Sequence, residues 1–147
     1  VDGLIALARY EAGLETPAIE PVELKGLVAA LLRARDADIA ARGLALDLEL
    51  PTELWVSTDA ALIERILANL LGNAIDHAPA GSGIALRAAQ DDAGAVTITC
   101  SNAAPTLDAR DVSQFGERYF HPAGAAVERR HVGLGLALSQ AIATQLG

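Results

Sequence analysis

Two carboxamides, Asn69 and Asn73, stand four residues apart in the run Asn69-Leu70-Leu71-Gly72-Asn73-Ala74-Ile75-Asp76-His77-Ala78-Pro79. On a helix that spacing places one above the other. Ile63, Leu67, Leu70 and Ala74 recur at three- and four-residue steps on a different face. One side of such a helix is anchored in a core, and another offers Asn69, Asn73 and Asp76 or His77. Neutral oxygen ligands on a rigid helix suit a Mg²⁺ that keeps several waters and takes its remaining ligands from phosphates. The spacing alone also fits an amphipathic helix whose two Asn simply face solvent, so the rest of the chain has to decide.

Three further runs bear on that decision. They are Val96-Thr97-Ile98-Thr99-Cys100-Ser101-Asn102-Ala103-Ala104-Pro105-Thr106-Leu107, Glu117-Arg118-Tyr119-Phe120 and Val132-Gly133-Leu134-Gly135-Leu136-Ala137-Leu138. The run at 69–79 resembles the N-box of the histidine-kinase catalytic domain, roughly N-L-L-x-N-A-x-K-Y/H-x-P. That domain is part of the ATPase superfamily that includes gyrase, Hsp90 and MutL. The second run resembles a degraded adenine-binding G1 box, usually D-N-G-P-G-I after a strand. The third resembles the E-R-F-Y core of the F-box, and the fourth is similar to the G2 box, G-x-G-L-G-L-A. Each is weak alone, but all four occur in the family's order at its approximate separations. The resemblance covers about residues 20–147.

The resemblance implies roles residue by residue. Asn73 stands at the family's Mg²⁺ ligand, and Asn69 at the first N-box position, over the same phosphates. Hydrolytic relatives carry a water-activating Glu at that first position, and an amide cannot act as a general base. Glu64 lies five residues back, about 140° around a helix. Such a site favours delivery of the γ-phosphate to another nucleophile over hydrolysis. Asn102 stands where the family has the Asp that accepts a hydrogen bond from the adenine amino group; its side-chain oxygen can still accept, without the charge. Ala104 and Thr106 replace the family's two G1 glycines, and Leu107 closes that run.

Asp76 replaces a position often held by Lys or Arg, where the resemblance implies a phosphate contact. A carboxylate there repels phosphate unless Mg²⁺ or an Arg lies between, or unless it points outward. His77 stands where the family has Tyr or His near the nucleotide. Arg118, with Arg129 and Arg130, is a cationic lid candidate for stabilising charge on the transferring phosphoryl group. Tyr119 also falls among the implied nucleotide contacts, although with Phe115 and Phe120 it suits pinning the lid to the body or to a partner helix better than stacking on adenine. In the G2 run Val132, Gly133, Leu134, Gly135 and Leu136 are the implied phosphate-proximal positions, and His131 stands where another Gly is usual. Glycines at a helix start let backbone amides approach an anion. His121 and His131 lack an H-E-x-x-x-P-like context and are not read as phosphoacceptors.

Composition is compatible with one domain. The chain has 147 residues, 52% of them hydrophobic, and a formal charge of −8. That charge argues against a general nucleic-acid surface, which needs a basic patch, and an ATP pocket must create positive potential locally. One cysteine excludes an internal disulfide or a multi-cysteine metal site and points to a reducing compartment. No run of 18 apolar residues is present, so no membrane-spanning segment is expected. Val1 without a preceding Met is expected of a piece of a longer protein.

The positioning elements follow from periodicity. Residues 2–13 have helical spacing and are read as the end of a dimerisation helix, with 14–20 a linker and 21–147 the catalytic domain. Pro21 is expected to open a helix running to about Arg42, with Leu24, Leu27, Leu31 and Ile39 on one side and Gly43 closing it. Residues 44–50 alternate as a half-buried strand, and 54–57 form a short second one. Ser57 or Thr58 is expected to cap the N-box helix, with Asp59 in its first turn. Strands at 84–89 and 95–100 join through the turn at Asp91-Asp92-Ala93-Gly94. A lid at about 103–132 and a final helix at 133–146 complete the chain. The order gives a two-layer α/β sandwich, a mixed sheet covered on one face by about three helices; the resemblance implies the Bergerat-type ATP-binding fold. A dinucleotide fold fails its context test, because no strand directly precedes Gly133-Leu134-Gly135 and no third Gly follows at the required spacing.

Three readings compete: the ATP- and Mg²⁺-binding catalytic domain of a sensor histidine kinase, a pseudoenzyme of the same fold, and a hydrolytic or conformational ATPase of the wider superfamily. Asn69 disfavours the third. The first implies Mg-ATP held between the N-box helix and the lid. It also implies phosphotransfer to a histidine on the protein's own dimerisation domain, then to a response regulator. The parent is then a homodimer with this part in the cytoplasm beneath an inner-membrane sensor, touching neither nucleic acid nor the membrane.

Overall fold

The computed structural model describes Arg9, residues 16–103, and Ser139, Gln140, Ile142 and Ala143. Ile19–Ala104 is one compact unit. Its elements are β1 (Ile19–Glu23), α1 (Leu24–Ala34), α2 (Asp36–Ala41), β2 (Ala45–Glu49), β3 (Trp55–Asp59), α3 (Ala60–His77), β4 (Gly83–Gln90) and β5 (Val96–Asn102). β1 pairs antiparallel with β3. β4 is central to a second, mixed ladder, parallel to β2 and antiparallel to β5.

The register sorts the side chains of this ladder into two faces. Leu46, Ile84 and Asn102 align across the three strands, as do Leu48, Leu86 and Cys100, and directly opposed residues share a face. Ile84, Leu86 and Ala88 are buried while Arg87 and Ala89 are exposed. The buried face meets Leu24, Val28 and Leu32 of α1, Ile39 of α2, and Leu67, Leu71, Ala74 and Ile75 of α3 in one apolar cluster. On the open face Arg87 bonds Glu49 at 2.8 Å and Asp47 at 3.0 Å. This is the expected two-layer α/β sandwich, with helices on one face of a mixed sheet.

Several local expectations are corrected. Pro21 does not open a helix but lies in β1 opposite Ser57; β1 pairs only with β3, and such an edge tolerates a residue without an N–H. The helix starts at Leu24, because the Glu23 carboxylate accepts from Lys25 N at 3.0 Å and Gly26 N at 2.6 Å. Gly26 permits this closeness, since a Cβ there would fall 2.7 Å from Glu23 Oε2. Instead of running unbroken to Arg42, the helix stops at Ala34 and restarts at Asp36, with Arg35 at φ −113° between them. Gly43 does end the second piece, at φ +61°, a conformation that favours glycine.

β2 is not half-buried: all five residues are exposed, Leu46 at 37% and Leu48 at 45%. The cause is its place at the edge, with β4 on one side only. Ser57 and Thr58 lie in β3, and Asp59 caps α3 by accepting from Leu62 N at 3.0 Å. The buried stripe of α3 includes Leu71 and Ile75, whereas Ile63 and Leu70 are only half-buried. The hairpin from β4 to β5 forms as expected, with the Asp91 carboxylate accepting from Ala93 N and Ala95 N at 2.9 Å each. Ser139, Gln140, Ile142 and Ala143 are helical, as is Arg9; the remainder of the expected first and last helices lies outside the described residues. Among the described residues no helix is long and apolar enough to cross a membrane.

Candidate nucleotide-binding face of the N-box helix

α3 carries most of the described site. Its core-facing side buries Leu67, Leu71, Ala74 and Ile75, while Asn69, Asn73 and Asp76 are half-buried and His77 is exposed. At about 100° per residue, Asn69, Asn73 and Asp76 form one stripe away from that core. Glu64 is exposed and off this stripe, so it does not stand where water activation beside Asn69 would need a carboxylate.

Asp76 is where the structure adds most to the sequence. Its Oδ1 accepts from Arg35 Nη2 at 2.5 Å, and Arg35 Nε donates to Asp38 at 2.7 Å. Partial burial works against the guanidinium's charge, but the bonds to Asp38 and Asp76 outweigh it and raise Arg35 above its ordinary value. The carboxylate that looked hostile to phosphate is thus paired with an arginine, one of the two arrangements that reconcile it with an anion nearby. The break between α1 and α2 falls on Arg35 itself.

The end of α3 is fixed by a second arginine. Arg42 Nη1 donates to the carbonyl of Ile75, and Nη2 to that of Ala78 at 2.5 Å. The Arg42 carbonyl in turn accepts from Gly81 N at 2.9 Å. These bonds satisfy helix-end carbonyls that lack partners in the helix itself, and they hold the chain just after Asp76 and His77. Spacing patterns did not single out Arg35 or Arg42. The one available signal for Arg35 was Asp76, a carboxylate in need of a cation.

Asn102 ends β5 beside Ile84, on the helix-covered face of the sheet. Its Nδ2 donates to Ala103 O at 2.9 Å, which turns the amide nitrogen to the chain. Cys100, two residues earlier on the same face, is pushed up from the ordinary thiol range by burial, so it stays protonated and packs as a small apolar group. Leu107, Arg118, Tyr119, Val132, Gly133, Leu134, Gly135 and Leu136 lie outside the described residues.

The donor set can be tested against the metal implied by the N-box. Among the described residues no group of three or more His, Cys, Asp or Glu forms a metal cage. Asn73 offers one neutral oxygen on a half-buried face. That fits a Mg²⁺ held by one or two protein ligands and completed by phosphates and water, and not an all-protein site.

Residues 58–147 match the family model for histidine kinase-, DNA gyrase B- and HSP90-like ATPases. The sensor histidine kinase MtrB of Mycolicibacterium paratuberculosis is 36% identical over 104 residues, which cover 67% of this chain and 18% of that protein. The sensor protein CreC of Escherichia coli is 32% identical over 143 residues, covering 97% of this chain and 29% of that protein. The chain therefore spans less than a third of either relative. Among solved structures, Acinetobacter baumannii histidine kinase AdeS superposes with a TM-score of 0.79 at 22% identity, over 98% of this chain and 64% of that one. Full-length ShkA, solved in complex with AMPPNP, superposes with a TM-score of 0.78 at 22% identity, over 98% of this chain and 30% of that one. The chain belongs to the histidine kinase-, DNA gyrase B- and HSP90-like ATPase family, and it carries that family's ATP-binding catalytic domain in the form found in sensor histidine kinases.

Proposed function

We propose that this domain binds Mg-ATP along the Asn69–Asn73 stripe of α3 and delivers the γ-phosphate to a histidine on the dimerisation domain of its own parent protein. A response regulator then receives the phosphoryl group, and the parent acts as a homodimer with this part in the cytoplasm. The observation that carries the reading is the pair of half-buried amides at Asn69 and Asn73 on one stripe of a helix, where the carboxylate that shares the stripe, Asp76, is bonded to Arg35. Asn73 would hold Mg²⁺, which when bound neutralises charge on the phosphates and orients them. Asn69 lies one turn away and donates or accepts a hydrogen bond without taking a proton from water. Asn102 Oδ1 accepts from the adenine amino group. Residues 1–13 would be the end of the dimerisation helix and 14–18 the linker, shorter than the expected 14–20 because Ile19 and Glu20 already pair with Asp59 and Thr58 in β1, and the lid at about 103–132 would supply Arg118.

The altered residues Asn102 and Asp76 would instead favour a module that has lost nucleotide. The bond from Arg35 answers the Asp76 part of that objection. Calorimetric titration of the 147-residue chain with ATP and ADP, with and without Mg²⁺, separates the two. Binding of both nucleotides, tightened by Mg²⁺ for ATP, is expected. Absence of binding in all four titrations would leave the nucleotide-free module.

A further inference from the structure

We propose that Arg35, reaching across from the joint between α1 and α2, supplies the positive charge that meets the nucleotide's phosphates beside Asn73, with Asp76 as the positioning residue that holds it there. The inference rests on the nucleotide reading above and names a phosphate-binding residue that no sequence motif contains. Asp76 follows Asn73 by three residues and Asn69 by seven, so all three share one face of α3. The guanidinium that bonds Asp76 at 2.5 Å is therefore brought onto that face.

Its approach is built, not incidental. Gly72 lies under the guanidinium, where a Cβ would come 3.5 Å from Arg35 Nη1. Asp38 fixes Nε from the other side at 2.7 Å. A guanidinium has five N–H donors in a rigid fork, and these two bonds engage one on Nε and one on Nη2. The other N–H groups, on Nη2 and on Nη1 above Gly72, take no part in these two bonds, and neither partner is sealed: the Arg35 side chain is 30% exposed and that of Asp76 26%. An arginine gripped by carboxylates from behind presents a fork of fixed orientation, the arrangement suited to phosphate oxygens. In a chain with a formal charge of −8, a triphosphate needs such a fixed local cation. Arg42, the neighbouring arginine on this side of α3, is engaged with the carbonyls of Ile75 and Ala78.

The test compares Mg-ATP with adenosine, which share the base and differ in the phosphates. Arg35→Ala alone would uncover the Asp76 charge, so the informative variant is Arg35→Ala with Asp76→Ala. It is expected to bind Mg-ATP about tenfold more weakly than the unaltered chain, with adenosine affinity changed by less than about twofold. Arg35→Ala combined with Asp76→Lys is expected to regain most of the Mg-ATP affinity, because the lysine restores a cation on the same stripe. Circular dichroism establishes that each variant is folded; should the alanine pair unfold, Arg35→Gln with Asp76→Asn makes the same comparison with the volumes retained. Unchanged Mg-ATP affinity in the neutral pair would show that Arg35 only masks Asp76 and would overturn the proposal. An equal fall for adenosine would overturn it as well, since that is the mark of a purely structural tie between helices. Failure of the unaltered chain to bind Mg-ATP is a different result, and it would sink the nucleotide reading itself.

Discussion

A neutral amide holds a divalent ion less firmly than a carboxylate does, so the metal at Asn73 and the nucleotide should depend on each other. Asn73→Ala is expected to weaken Mg-ATP binding by about tenfold or more while leaving binding of metal-free ATP nearly unchanged. Titrations in Mg²⁺ and in chelator check this, and an equal loss in both would contradict the ligand role. At Asn102 the expected change runs the other way. A charged hydrogen bond contributes about 1.5–3 kcal/mol against about 1 for a neutral one, so Asn102→Asp should tighten ATP binding severalfold and sharpen discrimination against GTP. No change in either would show that adenine does not touch this residue. The amide pair was legible from the sequence because its spacing is a property of a single helix. Arg35 was not, because its bond to Asp76 joins residues 41 apart in the chain, and only the folded layer of helices brings them together.

The helix termini behave differently, since each is decided by a few hydrogen bonds that periodicity does not register. The joint at Arg35 interrupts a stretch with continuous helical composition. The strand β1 draws Pro21 into pairing with β3, which helix-start statistics on Pro alone would not anticipate. By contrast, the β4–β5 hairpin was legible because Asp91 and Gly94, at φ +90°, carry its turn chemistry locally. Arg42 offers the sharpest test at this scale. Its side chain bonds two carbonyls at the end of α3, and bonds from a charged donor contribute about 1.5–3 kcal/mol each. Arg42→Ala is therefore expected to destabilise the chain by about 2 kcal/mol or more in urea unfolding, with Arg42→Lys intermediate because it lacks the fork. A loss below about 0.5 kcal/mol, typical of an unremarkable surface change, would contradict this role.

At the scale of the molecule, the two-layer architecture followed from the sequence because alternation in the strands and three- to four-residue steps in the helices both point at one core. Function followed less from the fold than from four short runs, since one fold hosts many activities. A histidine kinase and an ATPase of this family differ in where the γ-phosphate goes. Asn69 in place of a water-activating carboxylate argues for transfer to an imidazole, which is itself a nucleophile. The direct measurement incubates the 147-residue chain with γ-labelled ATP and Mg²⁺, alone and mixed at high concentration with the dimerisation helices of its parent. High concentration offsets the lost tether between the pieces. Little phosphate release and no self-labelling by the chain alone are expected, with label on the dimerisation helices that acid removes, as phosphohistidine requires. Acid-stable label on those helices, or vigorous phosphate release by the chain alone, would contradict transfer to a histidine.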